Sequence, residues 1–122
     1  MQINFNDVVP IYIQIADAIE DDILSGKLQP GENCYSQLVI ARELAINPAT
    51  AGKGIRLLVD RGILEKVRGQ AMTIKDDAVD LIKKRKTEET VMGMIDALVQ
   101  EARKLEISRE ELLKRVEKEY EE

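Results

Sequence analysis

A chain of 122 residues, 44% apolar and 34% charged, suits one compact domain or a small domain with an extension, which excludes a large multidomain enzyme. Aromatics make up 3% (Phe5, Tyr12, Tyr35 and Tyr120), with no tryptophan, so a core must come from Ile, Leu, Val and Ala, a composition that leans helical. The formal net charge of −5 argues against a non-specific polyanion binder.

Histidine is absent and Cys34 stands alone, so neither a His-based triad, a Cys/His dyad nor a structural zinc site can be assembled in one chain. The sequence implies no catalytic residue, metal or cofactor. The carboxylate pairs Asp21-Asp22, Asp76-Asp77 and Glu110-Glu111 do not change this. Adjacent residues on a helix diverge by about 100°, and the pairs read as solvated faces or helix-end charges. A lone cysteine reads as a small, half-buried hydrophobe and fits a reducing compartment. The N-terminus lacks the basic and apolar stretches of a signal peptide, and no apolar run approaches the ~18 residues that span a bilayer, so a soluble cytoplasmic protein with no membrane partner is expected.

Charge is unevenly distributed. Residues 1–40 carry Lys27 against six acids, residues 41–74 have a net charge of +3, and residues 75–122 have −3. One short central segment is therefore basic, as expected if it alone faces an anion.

A first helix is predicted from Pro10 to about Ser25, because Ile11, Ile15, Ile19 and Ile23 recur every four positions and Gly26 can end it. Leu28 to Gly31 reads as a turn, and Asn33-Cys34-Tyr35 as a short strand or extended lead-in. Ser36 is an N-cap for a second helix bearing Leu38, Val39, Ala41, Leu44 and Ala45. Asn47-Pro48, a cap followed by proline at the first helical position, opens a third helix that stops at Gly62. Its buried face is predicted to hold Ile55, Leu58 and Val59, and its exposed side Ala49, Thr50, Gly52, Lys53 and Arg56. Two short helices this close together have the sequence form of a helix-turn-helix. Ile63–Val67, Arg68–Ala71 and Met72–Ile74 then read as strand, turn and strand, a β-wing with Arg68 at its tip.

From Asp76 onward the pattern is helical. Val79, Ile82, Met92, Ile95, Leu98, Val99, Ala102 and Leu105 lie near one stripe, interrupted by the polar run Lys83–Thr90, with Gly93 a weak point. Glu106-Ile107 breaks the pattern. Ser108-Arg-Glu-Glu111 matches a capping box before a last helix with Leu112, Leu113, Val116 and Tyr120. Two antiparallel helices cannot enclose a core, so a second copy of the hairpin is the simplest partner.

Across residues 10–74 the sequence resembles the GntR family of bacterial transcription regulators. The resemblance rests on Ile23-Leu-Ser-Gly-Lys-Leu-Gln-Pro-Gly31, Ala41-Arg-Glu-Leu-Ala45, Asn47-Pro-Ala-Thr50, Leu58-Val-Asp-Arg-Gly-Ile-Leu64 and Val67-Arg-Gly69. Pro10-Ile-Tyr-Ile-Gln-Ile15 and the short C-terminal part resemble the YtrA branch, whose tail is a pair of dimerising helices. The chain departs from the family in four places. Cys34-Tyr35-Ser36 stands where the family has Leu-Pro-Ser, Leu38 stands where the family has a backbone-contacting arginine, Thr50-Ala-Gly-Lys53-Gly54 carries two helix-interior glycines, and Gly69-Gln-Ala71 replaces Gly-x-Gly in the wing.

The resemblance and the pattern together imply a mainly α fold with a small β-wing. A winged helix-turn-helix DNA-binding domain (1–74) is expected, followed by a two-helix dimerisation hairpin (75–122). The expected function is a homodimeric, repressor-type, sequence-specific regulator of a pseudo-palindromic DNA operator. Thr50, Lys53 and Arg56 would meet bases or phosphates from the third helix, and Lys66, Arg68 and Gly69 would hold the wing to the backbone. Ser36 and Asn47 would lie at the same face, Asn47 reading equally as a pure cap or as a cap that also touches phosphate. Arg42 and Arg61 are expected in local salt bridges. Ile95, Leu98, Val99, Leu112, Leu113 and Val116 would form the dimer core. The alternative is a winged-helix interaction module that has lost most DNA affinity, favoured by Leu38, Gly52, Gly54 and the acidic total. No effector pocket is readable.

Overall fold

The computed structural model describes residues 1–121. Pro10, with φ −54°, presents its carbonyl to the amides of Ile13 and Gln14 and so opens helix α1 (Ile11–Leu24). The four-residue spacing of isoleucines does what it predicts, and Ile15, Ile19 and Ile23 are buried along one stripe. Gly26, at φ +84°, follows the helix end.

Helix α2 (Gln37–Leu44) starts at Ser36, whose Oγ accepts a hydrogen bond from the Val39 amide at 3.1 Å. Helix α3 (Pro48–Asp60) starts at Asn47, whose Oδ1 accepts from the Ala49 amide at 2.8 Å. Between them Ala45 takes a left-handed conformation (φ 53°), and the Ile46 amide returns to the Ala41 carbonyl at 3.0 Å. The sequence pattern places Ala45 inside the second helix, whereas in the structure it is the residue that ends it. Helix α3 stops at Gly62 (φ +79°), with the amides of Gly62 and Ile63 bonded to the carbonyls of Val59 and Leu58.

Two assignments on α3 change. The inward face centres on Ala51, Ile55 and Leu58, which leaves Val59 at its edge and 37% exposed rather than buried. Gly52, expected on the exposed side, is buried because the Gln37 side chain lies over it.

Strand β1 (Leu64–Lys66) pairs antiparallel with β2 (Met72–Ile74) in the register Leu64–Ile74, Glu65–Thr73, Lys66–Met72. The extended lead-in joins them. Asn33 bridges to Thr73, the Cys34 amide donates to the Met72 carbonyl at 2.8 Å, and the Ile74 amide donates to the Glu32 carbonyl at 2.9 Å. Leu64 and Ile74 turn into the core with Ile15, Ile19 and Leu58.

Helix α4 (Ala78–Arg85) closes this core with Ala78 and Ile82, both at 0% exposure. Ile82, expected on the C-terminal stripe, therefore belongs to the core of the winged helix, and the first compact unit runs from Met1 to Lys83.

The second unit begins at Lys84. The polar run forms a π-helical segment (Lys86–Val91), which leads directly into α5 (Met92–Lys104). Glu106, at φ 56°, ends α5 and the Ile107 amide bonds the Ala102 carbonyl at 2.9 Å. Ser108 then caps α6 (Arg109–Tyr120), its Oγ accepting from the Glu111 amide at 3.1 Å. Helices α5 and α6 flank an apolar cleft of about 400 Å³, lined by Val99, Ala102, Ile107, Leu112 and Leu113 with Arg103 and Arg109. No helix among the described residues is long and apolar enough to cross a membrane.

Candidate nucleic-acid interface

Helix α3 carries the candidate contact residues on the side turned away from the core. Lys53 and Arg56 are exposed and Thr50 is half-buried, while Ala51, Ile55 and Leu58 hold the opposite side in the interior. Ser36 and Asn47 are exposed at the starts of α2 and α3, where each side-chain oxygen accepts an amide hydrogen bond. Both serve as caps, the role their positions predict.

The wing turns at Val67–Gln70, closed by the Gln70 amide donating to the Val67 carbonyl at 2.9 Å. Arg68 is the second residue of this turn and Gly69 the third, with φ +79°, the left-handed value a type II turn needs at that place. Arg68 is exposed at the tip. Lys66 is exposed on β1 but its Nζ donates to the Gln70 carbonyl, so it braces the turn from within the wing.

The cations are not equally available. Arg61 Nη1 lies 3.1 Å from Asp17 and 3.0 Å from the fully buried Glu20, both on α1. The salt bridge expected of Arg61 is thus tertiary rather than local, because α1 presents two acids to the end of α3. Lys53, Arg56 and Arg68 form no ion pair among the described residues.

Two residues at this face escape sequence reasoning. Gln37 Nε2 donates to the Pro48 carbonyl at 2.8 Å and spans α2 and the start of α3. Tyr12 on α1 lies beneath Lys53, with Nζ 4.3 Å from the ring centroid. The only sequence signal for either is the glycine pair at 52 and 54. A Cβ at Gly52 would stand 2.8 Å from the Gln37 side chain, and one at Gly54 would stand 3.0 Å from the Tyr12 carbonyl oxygen.

Two perturbed groups, Cys34 and Tyr35, lie on the extended lead-in that pairs with β2. Burial, reinforced by the nearby Asp22 carboxylate and partly offset by a backbone hydrogen bond at Tyr35, pushes the Cys34 thiol up to about 11. Tyr35 donates its hydroxyl to Asp22 Oδ2 at 2.6 Å; burial first, and then this bond, raises its pKa. The proposed dimer residues lie in the second unit. Ile95 and Leu98 on α5 and Leu113 and Val116 on α6 are 44%, 45%, 52% and 40% exposed, and Val99 and Leu112 are half-buried.

No family model matches the chain. The HTH-type transcriptional regulator YhcF of Bacillus subtilis is 32% identical over 115 residues, 93% of this chain and 92% of its own length. The HTH-type transcriptional repressor YtrA of the same organism is 32% identical over 78 residues, 64% of this chain and 60% of its own. Against the mannosyl-D-glycerate transport/metabolism repressor MngR of Escherichia coli the identity is 32% over 58% of this chain, which spans only 30% of that longer protein. A solved GntR family transcriptional regulator from Listeria monocytogenes superposes with a TM-score of 0.75 at 27% identity, over 93% of this chain and 98% of that one. BusR of Streptococcus agalactiae, solved in complex with its busA-promotor DNA, gives a TM-score of 0.53 at 28% identity over 88% of this chain and 55% of its own. A relative and a solved structure that match nearly end to end, and a wing that follows α3 directly, make this chain a member of the GntR family of helix-turn-helix transcription regulators, of YtrA-like type.

Proposed function

We propose that the chain is a homodimeric, repressor-type regulator that binds a pseudo-palindromic operator through α3 and the wing. The observation that carries this reading is that Lys53, Arg56 and Arg68 are exposed, and none is ion-paired among the described residues, beside a well-capped helix-turn-helix. In this reading α3 enters the major groove with Thr50, Lys53 and Arg56 toward base edges and phosphates. Arg68 and the backbone at Gly69 approach the sugar-phosphate backbone, with Lys66 stiffening the turn behind them. Ser36 and Asn47 set the ends of the two helices at the same surface.

The solved BusR complex with promotor DNA supports DNA as the partner, and YtrA supports the repressor sense. The DNA-binding part, expected over 1–74, is read as taking in α4 as well, because Ala78 and Ile82 close its core, and the dimerising part, expected over 75–122, is read as α5 and α6, with Ile95, Leu98, Val99, Leu112, Leu113 and Val116 at the seam. A monomer offers few cations, and each phosphate neutralised adds one term to counterion release, so doubling the contacts matters for affinity. Two α3 helices related by a two-fold axis would read half-sites about one helical turn, ~34–36 Å, apart.

The test is fluorescence anisotropy across a salt series, using a duplex recovered by selection from genomic fragments and a scrambled control. Tighter binding to the selected duplex is expected, with a log–log salt slope that becomes shallower by about one for each of Lys53→Ala and Arg68→Ala per half-site engaged. The interaction-module reading, favoured by Leu38 standing 70% exposed where the family carries an arginine, predicts weak and equal binding to both duplexes.

A further inference from the structure

Helix α1 packs on α3 through a close approach at Gly54, where any side chain would be crowded. A Cβ at Gly54 would stand 3.0 Å from both the Tyr12 carbonyl oxygen and Ile15 Cγ2. This sets the first turn of α1 beside Gly54 and, one residue earlier in α3, beside Lys53. The Tyr12 ring is half-buried there, and Lys53 Nζ stands 4.3 Å from its centroid. A cation at that distance is attracted by the negative face of the ring. The sequence spends one of only four aromatic residues on this contact.

We propose that Tyr12 is a positioning residue for DNA binding, and that its ring holds the Lys53 ammonium in place on α3 before nucleic acid arrives. The inference rests on the reading of α3 as the DNA-contacting helix. Its physical basis is entropic. A lysine on an open helix face samples many rotamers, and fixing it on a phosphate or base costs binding free energy. A ring that already restrains the side chain removes part of that cost without touching DNA. Arg56 and Arg68 have no comparable ring contact among the described residues.

The experiment measures affinity and salt slope for the selected duplex with Tyr12→Phe, Tyr12→Leu, Lys53→Ala and the Tyr12→Leu/Lys53→Ala pair in the full chain. Thermal melts are recorded alongside. Tyr12→Phe should bind like the parent. Tyr12→Leu should bind about two- to tenfold more weakly with an unchanged salt slope, because no phosphate contact is lost. Within the Lys53→Ala background, Tyr12→Leu should have no further effect. If Tyr12→Leu lowers the melting temperature, a trifluorinated phenylalanine at position 12 replaces it. That ring keeps the volume and loses the negative face, so affinity should still fall.

Equal or tighter binding by Tyr12→Leu, or the same loss in the presence and absence of Lys53, would overturn the proposal while leaving α3 as the contact helix. A Lys53→Ala variant that binds like the parent, or a chain that recognises no duplex, would overturn the contact assignment itself and this inference with it.

Discussion

Two glycines inside an exposed helix would ordinarily cost about 1 kcal/mol each against alanine. At positions 52 and 54 of α3 that cost is set against close packing, because Gly52 admits the Gln37 side chain and Gly54 admits the backbone of α1. In the sequence the pair reads as a weakness in the recognition helix; the neighbours that give it meaning lie on two other elements. Cys34 is the other residue whose environment sets its chemistry. The fold favours its protonated form, raising the thiol from 9.0 to about 11, so this contribution to stability is whole below pH 9 and fades as pH climbs toward 11. Tyr35 is shifted in the same direction and adds to the alkaline loss. Native protein at pH 8 should therefore resist iodoacetamide, which needs the thiolate, while urea-unfolded protein labels readily. Cys34→Ala should flatten, without abolishing, the fall in melting temperature above pH 9.

The helix ends were the most legible elements. Ser36, Asn47 and Ser108 cap their helices and Gly62 stops α3, because each signal acts within four residues of the chain and needs no tertiary context. The wing was equally legible from its change of period and its Arg68-Gly69 turn. What the sequence concealed is contact between distant positions. Arg61 meets α1 across 41 and 44 residues, Lys53 meets Tyr12, and Ile82 joins the winged core rather than the C-terminal stripe. The turn between α2 and α3 carries a specific prediction. Ala45 occupies a left-handed conformation that glycine adopts without strain. Ala45→Gly should stabilise the chain by about 1 kcal/mol, roughly 3–5 °C in a calorimetric melt, and leave affinity for the selected duplex unchanged.

For the molecule as a whole, the balance of burial differs between the two units. The first has a continuous aliphatic core from Ile15 to Ile82, whereas in the second Ala102 is the sole residue among those described that is buried. An apolar surface of that kind is what a second copy would cover. Leu98→Glu or Val116→Glu should therefore yield monomers in sedimentation at tens of micromolar and about halve the salt slope on the selected duplex, with the fold of the first unit retained by circular dichroism. Parent-like dimers from both variants would refute this assignment of the seam.

The exposed stripe on α5 and α6 also has a consequence for control by dosage. If assembly is reversible, operator occupancy below the dimerisation constant rises with the square of chain concentration rather than in proportion to it. A twofold change in expression or turnover would then shift occupancy about fourfold at low saturation. On the proposed dimer, this threshold would let the cell set the response through the amount of protein alone.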